Sequence, residues 1–394
     1  MRTDKFPKLK FTILNPLKEK TRSLSSEIPK FVMPTEKQNS FFQFLRYSLD
    51  CSTETPNIKD WRGLFTFMKE QALLGVGFRG IEKMKAAGAE VPREVILRWY
   101  AISEQIRQRN EEINRRCVKL TRLLKQDGFD SCILKGQGNN RYYPTPFSRM
   151  PGDIDVWLRG DVEKILKYSR KTFTCSKAVY HHIDAGMYNG VEIEIHYRPS
   201  FMNNAIHNKR LQTWFEDEAD EQFNNVVYIT EDKNSGICVP TNRFNRIYQM
   251  AHICNHVIHE GIGLRQFVDY YYLLKQGITQ EEKEKEGILL KQLGLFNMAT
   301  AVMYVLKTLL HMEDELMLVP ANERLGRFLV KEIMLSGNFG QYDNRVKHGA
   351  SQLEQNIERL KRDARMVAYF PSECLWEPCF RLFHFFWRLR HRGK

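Results

Sequence analysis

Hydrophobic positions change their period along this chain, and the changes divide it. From Phe41 to Leu124 they recur at the spacing of amphipathic helices. Thr35 and Gln38 form a capping box ahead of Phe41-Phe42-Gln43-Phe44-Leu45, so a helix is expected to start there. Asp60 is placed to cap a second helix carrying Trp61, Leu64, Phe65 and Met68. Pro92 suits the first position of a long helix running to about Asp127, with Ile106, Ile113, Cys117, Leu120 and Leu124 as its apolar face and Gly128 as its stop.

Beyond Gly128 the period falls to two, the signature of strands. Ser131–Leu134 reads as a short buried strand and Gly152–Leu158 as a second, with a helix from about Asp161. A hairpin is expected between Ala178–Ile183 and Val191–Tyr197, turning in the region Gly186–Gly190. Val226–Thr230 and Ile237–Val239 are further short strands, and after Thr241 the pattern is helical almost to the end. The order predicts an α+β core among helices: a basic arm over residues 1–34, an N-terminal helical region over 35–128, the core over 129–240 and a C-terminal helical domain over 241–394. Pro7, Pro16, Pro29 and Pro34 interrupt the arm, which is expected to be poorly ordered or laid on the surface.

Composition narrows the class. A chain of 394 residues with 42% hydrophobic and 12% aromatic residues can bury large cores in two or three domains and is not globally disordered. A net charge of +13 suits an anionic partner such as nucleotide, nucleic acid or an acidic surface, or simply a basic exterior. The eight cysteines are scattered with no C-x-x-C pair, which argues against a zinc ribbon or a disulfide framework and fits a reducing cytosol. No apolar run approaches the roughly 20 residues of a membrane span, and the N-terminus lacks a secretory pattern. A cytoplasmic protein is expected.

The candidate chemistry lies in the strands. In Gly152-Asp153-Ile154-Asp155-Val156-Trp157-Leu158, alternation puts Asp153 and Asp155 on one face. Two adjacent carboxylates repel unless something neutralises them, and a hard divalent cation with oxygen ligands does so. Val191-Glu192-Ile193-Glu194-Ile195-His196-Tyr197 alternates in the same way, with Glu192, Glu194 and His196 on one face. If the two strands are neighbours, Glu194 adds a third carboxylate, a ligand set for two cations or a general base. A solvated hairpin face is the plain reading of the second strand alone. Upstream, Leu134-Lys135-Gly136-Gln137-Gly138 is a strand entering a glycine turn, which can press backbone N–H groups against a phosphate, helped by Lys135 or Arg149.

Glycine turn, Asp-x-Asp and strand glutamate, in that order, resemble the nucleotidyltransferase superfamily that includes DNA polymerase β. Leu134-Lys135-Gly136, Tyr143-Pro144-x-Pro146-x-x-Arg149 to Asp155, and Glu194-Ile195-His196-Tyr197 resemble more narrowly its bacterial "uncharacterised nucleotidyltransferase" family. The resemblance implies a polymerase-β-like core with a small mixed sheet, Mg²⁺ or Mn²⁺ as cofactor, and an NTP donor. It also implies Gly136 at the phosphate turn, with Gln137 and Gly138 beside it, and Asp153, Asp155 and Glu194 as catalytic metal ligands. The acceptor stays open: small molecule, glycan, peptide, protein or tRNA. The turn reads Gly136-Gln137 where the superfamily usually has Gly-Ser or Gly-Gly, and this keeps a second reading alive, a module that binds nucleotide or a partner without turnover.

Two further clusters compete for attention. His252, His256 and His259 share one face of an expected helix and invite a zinc reading, although no H-E-x-x-H pattern accompanies them; packing, or lining the nucleotide cleft, is the alternative. Arg265 and Asp269 are spaced as an ion pair on the next helix, or Arg265 can reach a triphosphate. The basic aromatic run Phe380–Arg390 reads as a terminal helix docked on the core, or as one lying on a membrane surface.

Overall fold

The computed structural model describes residues 36–231, 235–345 and 352–392. The expected arm over residues 1–34 and Thr35 of the expected capping box lie outside them. Three helices open the described chain: α1 (Glu36–Ser48), α2 (Trp61–Glu70) and α3 (Leu74–Ala86). Asp60 caps α2 by accepting from the Gly63 N–H at 2.7 Å. Helix α4 (Arg93–Gln126) starts directly after Pro92, and Gly128 (φ +83°) ends it in the left-handed conformation that glycine tolerates. It is about 50 Å long at 1.5 Å per residue, and the face carrying Ile113, Cys117, Leu120 and Leu124 is fully buried.

The core follows as β1 (Ser131–Ile133), the five-residue α5 (Gly136–Asn140), β2 (Ile154–Leu158), α6 (Val162–Thr172), β3 (His182–Tyr188), β4 (Val191–His196), α7 (Ala205–Asp217), α8 (Ala219–Asn224), β5 (Val226–Val227) and β6 (Ile237–Cys238). The six strands form one sheet in the order β3-β4-β2-β1-β6-β5. It is mixed: β2–β4 and β1–β6 run parallel, the other pairs antiparallel. One face packs on α4 and α6 through Ile154, Val156, Leu158, Ile165, Ile193 and Ile195. This small mixed sheet among helices is the expected α+β architecture.

The hairpin departs from the expected boundaries. β3 starts at His182, not Ala178, and runs through Gly186 to Tyr188, so the turn is only Asn189-Gly190. Both turn residues have positive φ (50° and 87°), as a two-residue hairpin turn requires. A bulge between Asp184 and Met187 holds Gly186 at φ +65° and breaks the alternation that would have revealed the strand.

The remaining helices are α9 (Asn242–His259), α10 (Leu264–Leu274), α11 (Gln280–Gln292), α12 (Phe296–Leu310), α13 (Glu323–Ser336), α14 (Gln352–Met366) and α15 (Pro371–Arg390). Thr241 caps α9 from its side chain. Side chains of α1–α3 and of α9, α10, α12 and α13 belong to one hydrophobic cluster, so the helices before and after the sheet share a core. The C-terminal helix docks on the sheet region through Phe380 and Trp387 while Leu382, Phe385 and Phe386 stay exposed. No helix among the described residues is long and apolar enough to cross a membrane, and all eight cysteines are free.

Candidate active site

Parallel pairing of β2 with β4 puts Asp155 directly opposite Glu194. Asp153 precedes Asp155 by two residues and follows it onto the same face. One ligand atom from each of the three comes within 4.8 Å of the others. Asp155 is buried, whereas Asp153 and Glu194 are partly open.

Cationic neighbours make the cluster tolerable. Lys135 Nζ lies 2.7 Å from Asp155 Oδ1, and His196 Nε2 lies 3.0 Å from the same oxygen and 3.3 Å from Glu194. Burial opposes charge on Asp155, but Lys135 and His196 outweigh it and hold its carboxyl well below the usual range. Burial likewise opposes charge on His196, yet its bonds to Asp155 and Glu194 lift it to about 9. Asp153 goes the other way. Burial, then the charges of Asp155 and Glu194, push it up to about 6, only partly offset by Lys135.

These residues line a cleft of about 620 Å³ between the sheet and the C-terminal helices. Such a volume suits a nucleotide-sized ligand. The floor carries Lys135, Gly136, Asp153, Asp155, Glu194 and His196. The histidines of α9 form one wall, with His252 and His256 in contact at 2.9 Å. The α9 histidines do not gather as a ligand triad: among the described residues, the clusters of three are Asp153–Asp155–Glu194 and His182–Glu194–His196. A further part of the lining comes from α15 through Glu377, Phe380, Arg381 and His384, spaced to share one helical face.

The glycine turn divides its residues. Lys135 (φ 44°) and Gly136 (φ 34°) are both left-handed, which turns the chain sharply out of β1 at the cleft floor. Gln137 faces away, donating to the Asn110 carbonyl at 3.2 Å and bonding Asn114 on α4. A side chain at Gly138 would press within 3.3 Å of the Ile133 carbonyl, so this glycine serves helix packing. Neither Gln137 nor Gly138 lines the cleft.

The expected helper Arg149 also lines the cleft, but its guanidinium is held by Asp269. Its Nε and Nη2 form a fork with Asp269 at 2.7 and 2.8 Å, completed by the Tyr143 hydroxyl at 2.7 Å, all buried. This corrects the expected Arg265–Asp269 pair: a bidentate partner 120 positions away wins Asp269 because planar guanidinium and carboxylate match. Arg265 is left with the Met150 carbonyl at 3.3 Å and the Phe339 ring at 5.2 Å, while its Nε is buried without a partner. Burial, then Arg149, lowers it to about 10, and it lines the cleft with Asp153. Asn139 is a further cleft residue that pattern reading passed over, with a buried, unbonded Nδ2. His182 lay in an expected strand, but its place opposite His196 follows from the pairing of β3 with β4.

A family model described as "uncharacterised nucleotidyltransferase" matches residues 57–311. No curated protein matches the chain. Among solved structures, an antigenic nucleotidyltransferase-like protein from Paracoccidioides brasiliensis overlaps it at a TM-score of 0.29 and 12% identity, covering 51% of this chain and 93% of that one. That overlap is too slight to fix any feature of this chain.

Proposed function

Because this chain belongs to the uncharacterised nucleotidyltransferase family, we propose that it moves a nucleoside monophosphate from an NTP to an acceptor hydroxyl or amine with the help of Mg²⁺ or Mn²⁺. The observation that carries this reading is the register of Asp155 against Glu194, with Asp153 beside them, at the floor of a nucleotide-sized cleft. The three carboxylates fit a divalent cation in donor type and spacing. A divalent cation held there would supply positive charge to the triphosphate and to the attacking hydroxyl. Asp153 and Asp155 would hold it, and Glu194 would complete the set or take the acceptor proton. Gly136 keeps the turn's backbone open to the phosphates. Arg265 takes the place that sequence spacing gave to Arg149, as the guanidinium with hydrogen-bonding capacity to spare. The aromatic wall of Phe201, Phe339 and Phe380 offers stacking surfaces for a base.

Label transfer from each α-labelled NTP, with cell extract supplying acceptors, tests the proposal. Transfer by the wild type and its loss in both Asp153→Asn and Asp155→Asn are expected; undiminished transfer in either variant rules it out. A second reading, nucleotide binding without turnover, draws support from one observation: Lys135 and His196 already neutralise Asp155. Calorimetric NTP binding with no pyrophosphate release would favour that reading.

A further inference from the structure

We propose that His182, Glu194 and His196 form a second cation subsite, built for a first-row transition metal rather than for Mg²⁺. The inference deepens the nucleotidyltransferase reading and rests on it for the neighbouring Asp153–Asp155 site, with which it shares Glu194.

The hairpin itself assembles the donors. His182 and His196 are directly opposite each other on β3 and β4, their rings 5.1 Å apart. Glu194 precedes His196 by two residues and so lies on the same face. One ligand atom from each of the three falls within 4.8 Å of the others. The side chains come from two hydrogen-bonded strands, which position ligands more rigidly than a loop does.

The outer nitrogens give the stronger argument. A metal-binding histidine presents one nitrogen to the ion and donates its other N–H to a carboxylate or a backbone carbonyl. Both histidines are arranged in that way. His182 Nε2 meets Asp184 Oδ1 at 3.1 Å, and Asp184 is itself opposite Glu194 on the neighbouring strand. His196 Nδ1 meets the Arg198 carbonyl at 3.3 Å. Each acceptor fixes the N–H on the outer nitrogen. Of the inner nitrogens, His182 Nδ1 faces Glu194 Oε2 at 3.8 Å, and His196 Nε2 faces the same oxygen at 3.3 Å and donates to Asp155 Oδ1 at 3.0 Å. A cation there displaces the His196 Nε2 proton that Asp155 and Glu194 share in the metal-free protein, and takes that nitrogen, His182 Nδ1 and the Glu194 carboxylate together. His182 Nδ1 also meets His181 Nε2 at 2.9 Å, a contact that a bound ion replaces.

The donor set selects the ion. Affinity for a nitrogen-containing site rises from Mn²⁺ through Co²⁺ to Ni²⁺, and imidazole also suits Zn²⁺, whereas Mg²⁺ prefers oxygen and keeps its waters. Glu194 therefore bridges two unlike positions: an all-carboxylate one toward Asp153 and a nitrogen-rich one toward His182.

Co²⁺ titration of metal-free protein in excess Mg²⁺, followed by visible absorption, tests this without any need for activity. The wild type is expected to bind a Mg²⁺-resistant equivalent with a nitrogen-ligand band. His182→Gln and His196→Gln should abolish the band. Asp184→Asn, on an exposed residue that spares the core, should weaken Co²⁺ binding about 10–100-fold. Asp153→Asn should leave the band intact. Circular dichroism confirms that each variant is folded, and Asp184→Asn decides the matter if a histidine variant is not. Absence of a Mg²⁺-resistant equivalent in the wild type, or an unchanged band in folded His182→Gln and His196→Gln, overturns the inference. Asp153-dependent label transfer without a Co²⁺ band would sink the subsite and keep the transferase; a band without transfer would do the reverse.

Discussion

The Arg265 side chain occupies a costly position: buried beside Arg149, with an unbonded Nε and its pKa brought down to about 10 by burial and that like charge. An anion at the cleft relieves both. Arg265→Ala should therefore weaken NTP binding by roughly 10–100-fold in calorimetry, the worth of a charged hydrogen bond of about 1.5–3 kcal/mol. Asp153 supplies a pH test. Unfolded, its carboxyl titrates near 3.9; folded, it is raised to about 6. With the folded pKa above the unfolded one, ionising Asp153 destabilises the fold fully above pH 6, progressively less down to about pH 4, and not at all below. The cost at neutral pH is on the order of 3 kcal/mol. Metal-free Asp153→Asn should accordingly melt a few degrees above wild type at pH 7.5, and the difference should shrink by pH 5. Bound cations should erase it.

Among the elements, β2 and β4 were legible in the sequence because both alternate without interruption, and alternation alone fixes which residues share a face. What alternation cannot reveal is adjacency. That β2 and β4 pair in parallel, with Asp155 against Glu194, is a tertiary fact. Nor can it survive a bulge: the extra residue near Gly186 shifted β3 out of phase beyond Asp184 and hid the strand's continuation to Tyr188. Lys135 and Arg149 stood out as charges near the motif, but their partners, Asp155 and Asp269, are chosen by three-dimensional packing. The bulge can be tested. A Cβ at position 186 would sit 2.6 Å from the Thr174 carbonyl, on a backbone at φ +65°. Gly186→Ala should cost about 1–3 kcal/mol in urea denaturation.

On the scale of the whole molecule, the cleft exists because distant segments are tied together. The loop before β2 is fastened to α10 by Tyr143, Arg149 and Asp269. Breaking a buried pair strands the remaining charge. Arg149→Ala should lose about 3–5 kcal/mol in chemical denaturation and weaken metal binding at Asp153, which that loop positions. Part of the cleft lining depends on α15. Phe380 stacks on Phe201 at 4.8 Å, and His384 Nε2 accepts from the Tyr180 N–H at 3.2 Å.

Cys379 lies beside Phe380 on this helix and is the exposed thiol of the eight, while its neighbours Glu377, Phe380 and Arg381 line the cleft. The protein thus carries its own attachment point for an optical reporter. A thiol-reactive dye, limited to the fastest-reacting cysteine, would sit on the outer side of the helix whose inner side meets the ligand. Changes in its emission on adding NTP, metal or candidate acceptors would follow occupancy of the cleft in real time, and would allow acceptors to be screened before any product is known.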